Sequence, residues 1–218
     1  MGIVWPLGLG TAAAAGLMIA GLYRPASTWL VFVFKPLATI LILALALSGL
    51  GDDPSRYALA VVVGLVFSLA GDVFLMLPSD RFREGLASFL IAHLAYLVAL
   101  TTGVSLAAPW WPYLAWGVFA LPLVMKLWPG VPSALRGAVL AYLLVLLLMA
   151  AQALSRAWAL GDTAAWLAAA GAALFVASDY SLALNRFTRP FAAAPALVHL
   201  TYYAAQWLIA LSVFSWAA

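Results

Sequence analysis

The chain has 218 residues, 67% of them apolar and only 8% charged, with a formal net charge of +3 and a mean hydropathy of +1.11. A soluble domain carries about 25% charged residues, so this composition excludes a soluble globular protein and defines an integral membrane one. The absence of cysteine removes thiol chemistry and Cys-based metal sites, and the scattered positive charge, without a basic block, excludes a nucleic-acid partner.

Stretches of about 20 apolar residues match the hydrocarbon core of a bilayer. Eight are predicted, all helical: Ile3–Tyr23, Thr28–Leu50, Tyr57–Leu77, Leu86–Gly103, Trp111–Leu127, Ser133–Leu154, Thr163–Leu184 and Ala196–Trp216. The expected fold is therefore an all-α, polytopic bundle forming one transmembrane domain. Met1 to Tyr23 holds no Lys or Arg and so lacks the basic start of a cleaved signal peptide, despite the Ala12–Ala15 run. Connections such as Gly51-Asp52-Asp53-Pro54, Pro78-Ser79-Asp80-Arg81 and Arg189-Pro190 are too short for a soluble domain, which leaves chemistry to the helices and their mouths. Trp5, Tyr23, Trp29, Trp110, Trp111, Trp128, Trp158 and Trp216 stand near span ends, as interfacial aromatics do.

Basic residues set the orientation. Arg24, Arg81, Arg83, Lys126, Arg136, Arg186 and Arg189 fall at the loops after odd-numbered spans, and only Arg56 and Arg156 fall on the other side. Both termini are expected outside and the odd loops in the cytoplasm, in a bacterial inner membrane.

The third span contains AGDVFLML around Asp72, and the seventh contains ASDYSLAL around Asp179. Each is followed by an Arg-Phe pair, Arg81-Phe82 or Arg186-Phe187. A His-Leu-x-Tyr element then follows, His93 to Tyr96 or His199 to Tyr202. The offset of 107 that relates the aspartates carries Lys35 onto Tyr142. A parallel duplication, residues 1–105 and 106–218, accounts for this order; chance recurrence in an apolar chain is the competing explanation.

Ionised side chains are costly inside a bilayer and mark function by default. From the helical rise, Lys35 lies ~10 Å inside the second span, Asp72 and Asp179 ~8 Å from the ends of theirs, His93 ~10 Å, His199 ~5 Å and Tyr142 ~13 Å inside theirs. All fall in one cytoplasmic-side layer, and nothing comparable is expected in the outer half. Lys35 and Thr39 share a helix face, as do His199, Tyr202, Tyr203 and Gln206. The plainer roles are an ion pair between Lys35 and an aspartate, a Lys35 that snorkels, and packing histidines, tyrosines and glutamines that join helices. No Ser-His-Asp signature, Gly-rich phosphate loop or H-E-x-x-H pattern occurs.

Taken together, Phe34-Lys35-Pro36-Leu37, Gly71-Asp72 with Phe74-Leu75, and Phe82, Gly85, Ser88-Phe89, Ala92-His93 and Tyr96 resemble the YhhN-type lysoplasmalogenase family. Phe175, Ser178-Asp179 and Tyr203-x-x-Gln206 extend the resemblance, which runs in order from Phe34 to Ile209. It implies an eight-helix membrane hydrolase that cleaves the sn-1 vinyl ether bond of lysoplasmalogens. The products are a fatty aldehyde and a glycerophospho-alcohol such as glycerophosphoethanolamine or glycerophosphocholine.

That chemistry suits the residues. A vinyl ether is hydrolysed by protonating its terminal alkene carbon and adding water to the oxocarbenium ion, a task akin to glycoside hydrolysis with two carboxyl groups. Asp72 and Asp179 are the expected catalytic pair, with His93 and His199 orienting them or relaying protons. Lys35, Tyr96, Tyr142, Tyr202, Tyr203 and Gln206 are the expected substrate-binding residues. No cofactor and no metal are expected; the partners are the lysophospholipid substrate and membrane lipids. Two competing readings use the same Asp/His set, a metal-dependent lipid hydrolase and a proton-coupled transporter.

Overall fold

A computed structural model describes residues 2–214. The described residues form eight α-helices: α1 Val4–Leu22, α2 Trp29–Ser48, α3 Arg56–Met76, α4 Phe82–Leu100, α5 Trp111–Leu127, α6 Arg136–Leu160, α7 Thr163–Phe187 and α8 Ala194–Leu211. No strand occurs among them. Six stretches are long and apolar enough to cross a membrane: α1, α2, α3, α4, Ser133–Leu160 (which contains α6) and α7. The other two helices are α5, at 17 residues, and α8, whose 18 residues include His199, two tyrosines and Gln206. Trp216, the predicted end of the eighth span and an interfacial candidate, lies outside the described residues.

Local chemistry sets the helix ends. The Ser55 hydroxyl accepts from the Ala58 amide at the start of α3 (3.2 Å), and the Asp162 carboxylate accepts from the Ala165 amide at the start of α7 (2.7 Å). Each satisfies an amide that has no partner within its helix. Gly161, in the left-handed region at φ +70°, terminates α6 as such glycines do.

Several boundaries depart from the sequence expectation, two of them for a clear packing reason. The fourth helix begins at Phe82 rather than Leu86, because Phe82 is buried edge-on against Phe187, with ring centroids 5.9 Å apart. The sixth runs on to Leu160 rather than ending at Leu154, since its polar residues find partners. Gln152 donates to the Leu100 carbonyl (3.3 Å) and Ser155 to the Pro109 carbonyl (2.8 Å). The Arg156 guanidinium lies over the Tyr57 ring at 4.9 Å. The expectation that polar groups gather at one end only is corrected accordingly: the opposite end holds Gln152, Ser155, Arg156 and Tyr57. These are spent on backbone carbonyls, on one another and on the hydroxyls of Tyr113 and Ser212.

Within the bundle, α3 packs on α4, α7 on α8 and α1 on α2; α4 also meets α6, and α2 meets α8, while α5 rests mainly on α6. Small residues permit these approaches, as in membrane bundles generally. A Cβ added at Gly64 would overlap the Tyr96 ring, and one at Gly171 would lie 2.8 Å from the Ala205 carbonyl oxygen. The outer surface carries large apolar side chains such as Leu9, Val33, Ile40, Val63 and Leu144, which suits contact with lipid.

Candidate active site

Lys35 and Thr39 lie one turn apart on α2 and both are buried. They face Asp72, 2% exposed, from α3. The Asp72 Oδ2 accepts hydrogen bonds from the Thr39 hydroxyl (2.6 Å) and the Tyr202 hydroxyl (2.7 Å). Its Oδ1 lies 3.5 Å from the Lys35 ammonium. Three donors from two other helices converge on one carboxylate, so its charge is neutralised and both oxygens are engaged. Tyr203 donates to the Lys35 backbone carbonyl (3.3 Å), tying α8 to the same turn of α2.

The second aspartate sits in a different setting. Asp179 of α7 accepts from the Tyr142 hydroxyl of α6 at 2.6 Å. The nearest charge-bearing side chain is His93 of α4, with Nε2 3.9 Å from Asp179 Oδ2. His93 is fully buried. It stands edge-on to Phe175 and Tyr142, at ring distances of 4.7 and 5.1 Å, and neither ring nitrogen has a hydrogen-bond partner. No Lys or Arg forms an ion pair with Asp179 among the described residues.

Both aspartates line one cavity of about 390 Å³. Lys35, Tyr142, His199 and Tyr202 line it too, so six of the ten expected site residues meet there. Leucine and valine side chains of α5 and α6, with Phe119, form its apolar wall, and Asp80, Arg81, Asn185 and Arg186 also border it. His199 Nδ1 lies 2.7 Å from the Pro195 carbonyl oxygen. A carbonyl only accepts, so in the neutral ring Nδ1 carries the proton and Nε2 keeps its lone pair.

The other four expected residues stand behind this surface. His93 backs Asp179 and Tyr142, and Tyr203 bonds to the α2 backbone. The Tyr96 hydroxyl donates to Gln206 Oε1 (2.6 Å) and lies 3.4 Å from the Ser68 hydroxyl, linking α3, α4 and α8 away from the cavity. Among the described residues, no three of His, Asp and Glu gather in metal-ligating geometry. Two features escaped the sequence reading. Thr39 was visible only as a neighbour of Lys35 on its helix face. Arg186 is separated from Asp179 by two helical turns on α7, a spacing that was legible, but the residue was read only as an orientation-setting charge and as part of an Arg-Phe repeat.

An all-helical bundle of long apolar helices defines an integral, multi-pass membrane protein, and the partly polar cavity bounded by the two aspartates is its candidate site. The sequence model of the YhhN family matches residues 30–213, and the chain belongs to that family. It is 34% identical over 184 residues to the human protein named lysoplasmalogenase TMEM86A, covering 79% of this chain and 72% of that one. Identity is 38% over 164 residues to the pig protein named lysoplasmalogenase TMEM86B, covering 74% and 66%. It is 29% over 202 residues to an uncharacterized membrane protein YhhN of Escherichia coli O157:H7, covering 92% and 95%. No solved structure matches.

Proposed function

We propose that this protein hydrolyses the sn-1 vinyl ether bond of lysoplasmalogens, within the cavity that Asp72 and Asp179 line. The observation that carries the proposal is the unlike setting of the two carboxyl groups, in a chain similar to proteins named lysoplasmalogenases. Asp72 is paired with Lys35 and accepts from two hydroxyls. Asp179 has one hydroxyl donor and no bound Lys or Arg, and it opens onto an apolar wall.

In this reading Asp179 is the proton donor. It transfers its proton to the alkene carbon farther from the ether oxygen, leaving an oxocarbenium ion between that carbon's neighbour and the ether oxygen. Asp72 stabilises this cation across the cavity. His199 Nε2 takes a proton from the attacking water, and the hemiacetal forms. The hemiacetal hydroxyl returns a proton to Asp179, the carbon–oxygen bond to glycerol breaks, and the leaving oxygen takes the proton held by His199. One water is consumed, aldehyde and alcohol leave, and both side chains regain their starting states. Proton transfer by positioned groups contributes roughly 10²- to 10⁴-fold to such reactions.

We further read all eight helices as spanning, with the Arg-rich end, where the cavity lies, in the cytoplasm and both termini outside. The duplication is supported by several paired features. Lys35 meets Asp72 where Tyr142 meets Asp179. The tight glycines Gly64 and Gly171 share the 107-residue offset. The packing of α4 on α6 is matched by α8 on α2.

The test is aldehyde release by purified protein in detergent, with vinyl-ether and ester lysophospholipids side by side. Aldehyde from the vinyl ether at a rate well above that of an Asp179→Asn control is expected. Fatty acid from the ester with no aldehyde from the vinyl ether would overturn the reading.

A further inference from the structure

The geometry points to Arg186 and Asp80 as a head-group reader at the cavity mouth, where Arg186 binds the phosphodiester of the lipid and Asp80 faces its ammonium group. This rests on the lysophospholipid reading above and adds the residues that select the head group.

Arg186 lies seven residues after Asp179 on α7, about two turns along the same helix face and roughly 10 Å away by helical rise. Both residues line the same cavity. The Arg186 guanidinium lies over the Phe82 ring at 3.9 Å, which fixes its plane. Its Nη2 donates to both Asp80 oxygens at 3.1–3.2 Å. Asp80 itself is held in the left-handed region at φ +41°, in the turn between α3 and α4. The pair therefore joins that turn to the end of α7 at the cavity border. Both groups remain reachable, with side chains 36% and 73% exposed.

Substrate dimensions match this spacing. From the alkene carbon that receives the proton to the phosphorus, a lysoplasmalogen runs through seven bonds, roughly 8–9 Å when extended, taking about 1.2 Å of advance per bond of ordinary length. With the reacting carbon at Asp179, the phosphate reaches Arg186. An arginine fork donates to two phosphate oxygens as it does to two carboxylate oxygens, so phosphate replaces Asp80 anion for anion. The freed Asp80 then pairs with the ammonium of the head group, and no charge is left uncompensated. A head group without a cation leaves Asp80 unpaired beside the phosphate, which disfavours it. Arg81 also borders the cavity and pairs with Glu84 at 2.9 Å, but it lies off α7, so Arg186 is the arginine in line with Asp179.

The experiment compares wild-type, Arg186→Gln and Asp80→Asn proteins, full length and in detergent. Three alkenyl substrates are used: one with phosphoethanolamine, one with phosphoglycerol, and the free 1-alkenylglycerol. Arg186→Gln is expected to raise KM about 10- to 100-fold for the two phospholipids and to leave 1-alkenylglycerol turnover within about twofold, by loss of one charged contact. Asp80→Asn breaks the same rim ion pair but should retain phosphate binding. It is expected to lower the preference for phosphoethanolamine over phosphoglycerol by about tenfold. Equal losses on all three substrates, or identical behaviour of the two variants, would mean a structural rim and would overturn the proposal.

A binding arm is independent of turnover. The non-hydrolysable 1-alkyl lysophosphoethanolamine should raise the Tm of Asp179→Asn protein, and should raise it less when Arg186→Gln is added. Inorganic phosphate at the same concentration should do neither. Equal protection by inorganic phosphate would identify a free-phosphate site and overturn the lipid assignment. Absence of aldehyde from every vinyl ether, with Arg186-dependent protection intact, would overturn the hydrolase reading and leave the head-group reader standing.

Discussion

The Lys35 ammonium lies 3.5 Å from Asp72 Oδ1, with both side chains almost wholly buried. This ion pair answers why an acid persists in an apolar helix, since a buried charge without a partner is strongly unfavourable and one with a partner is tolerated. Its consequence is unequal cost. Asp72→Asn leaves Lys35 buried and unpaired, and should lower stability by about 3–5 kcal/mol. The double change Lys35→Met with Asp72→Asn should recover much of that loss while remaining inactive. Thermal unfolding of the three proteins in one detergent measures it. A single Asp72→Asn variant as stable as wild type would refute the pairing.

Asp179→Asn is expected to behave in the opposite way. The Tyr142 hydroxyl that donates to Asp179 at 2.6 Å can donate equally to an amide oxygen, and no cation is left stranded. Stability should change by less than about 1 kcal/mol, within the range of one neutral hydrogen bond. Aldehyde release should fall by at least 10²-fold, the usual contribution of a positioned acid. Initial rates beside a melting curve separate the two effects. Activity within tenfold of wild type would remove Asp179 from the proton-donor role.

How much of this was visible beforehand differs by feature. Long apolar runs make helices unambiguous, so the succession of elements followed from the residues, and the rarity of polar groups singled out Lys35, Asp72 and Asp179. The family resemblance, carried by ordered motifs from Phe34 to Ile209, agrees with the match over residues 30–213. Helix ends were less legible, because Phe82 and Gln152 extend their helices through contacts with Phe187 and the Leu100 carbonyl. Of the partners distant in sequence, the ion pair of Lys35 with an aspartate was legible, whereas the hydroxyl partners were not. Tyr96 was singled out by the His-Leu-x-Tyr repeat and Gln206 by sharing a helix face with His199, but the packing of α3, α4 and α8 turned them toward Ser68 and each other. Thr39 became a ligand of Asp72 only when α2 met α3.

Tyr142→Phe isolates the single hydroxyl on Asp179. Without that donor the Asp179 carboxylate formed after proton transfer is less well stabilised. A loss of about 1–1.5 kcal/mol in transition-state binding corresponds to a rate about fivefold to tenfold lower. The effect should appear in kcat more than in KM, because the bond is to the reacting group and not to the lipid. Steady-state aldehyde release with a vinyl-ether substrate checks it. An unchanged kcat with a raised KM would place Tyr142 among the substrate contacts instead.

Gly171→Ala tests the helix contact that sets the second aspartate. A Cβ at Gly171 would lie 2.8 Å from the Ala205 carbonyl oxygen and the Ile209 side chain, so α7 and α8 must separate to admit it. Backbone cannot yield as a side chain can, and overpacking of this kind costs about 1–3 kcal/mol. Gly117, on the exposed face of α5, has no atom within 4 Å of an added Cβ, and alanine there should be neutral or slightly stabilising for the helix. Because α7 carries Asp179 and α8 carries His199 and Tyr202, separating them should also lower activity, while Gly117→Ala should retain it. Melting temperature and aldehyde release on both variants provide the comparison. A Gly171→Ala protein as stable and active as Gly117→Ala would show that the α7–α8 approach is loose and does not set the site.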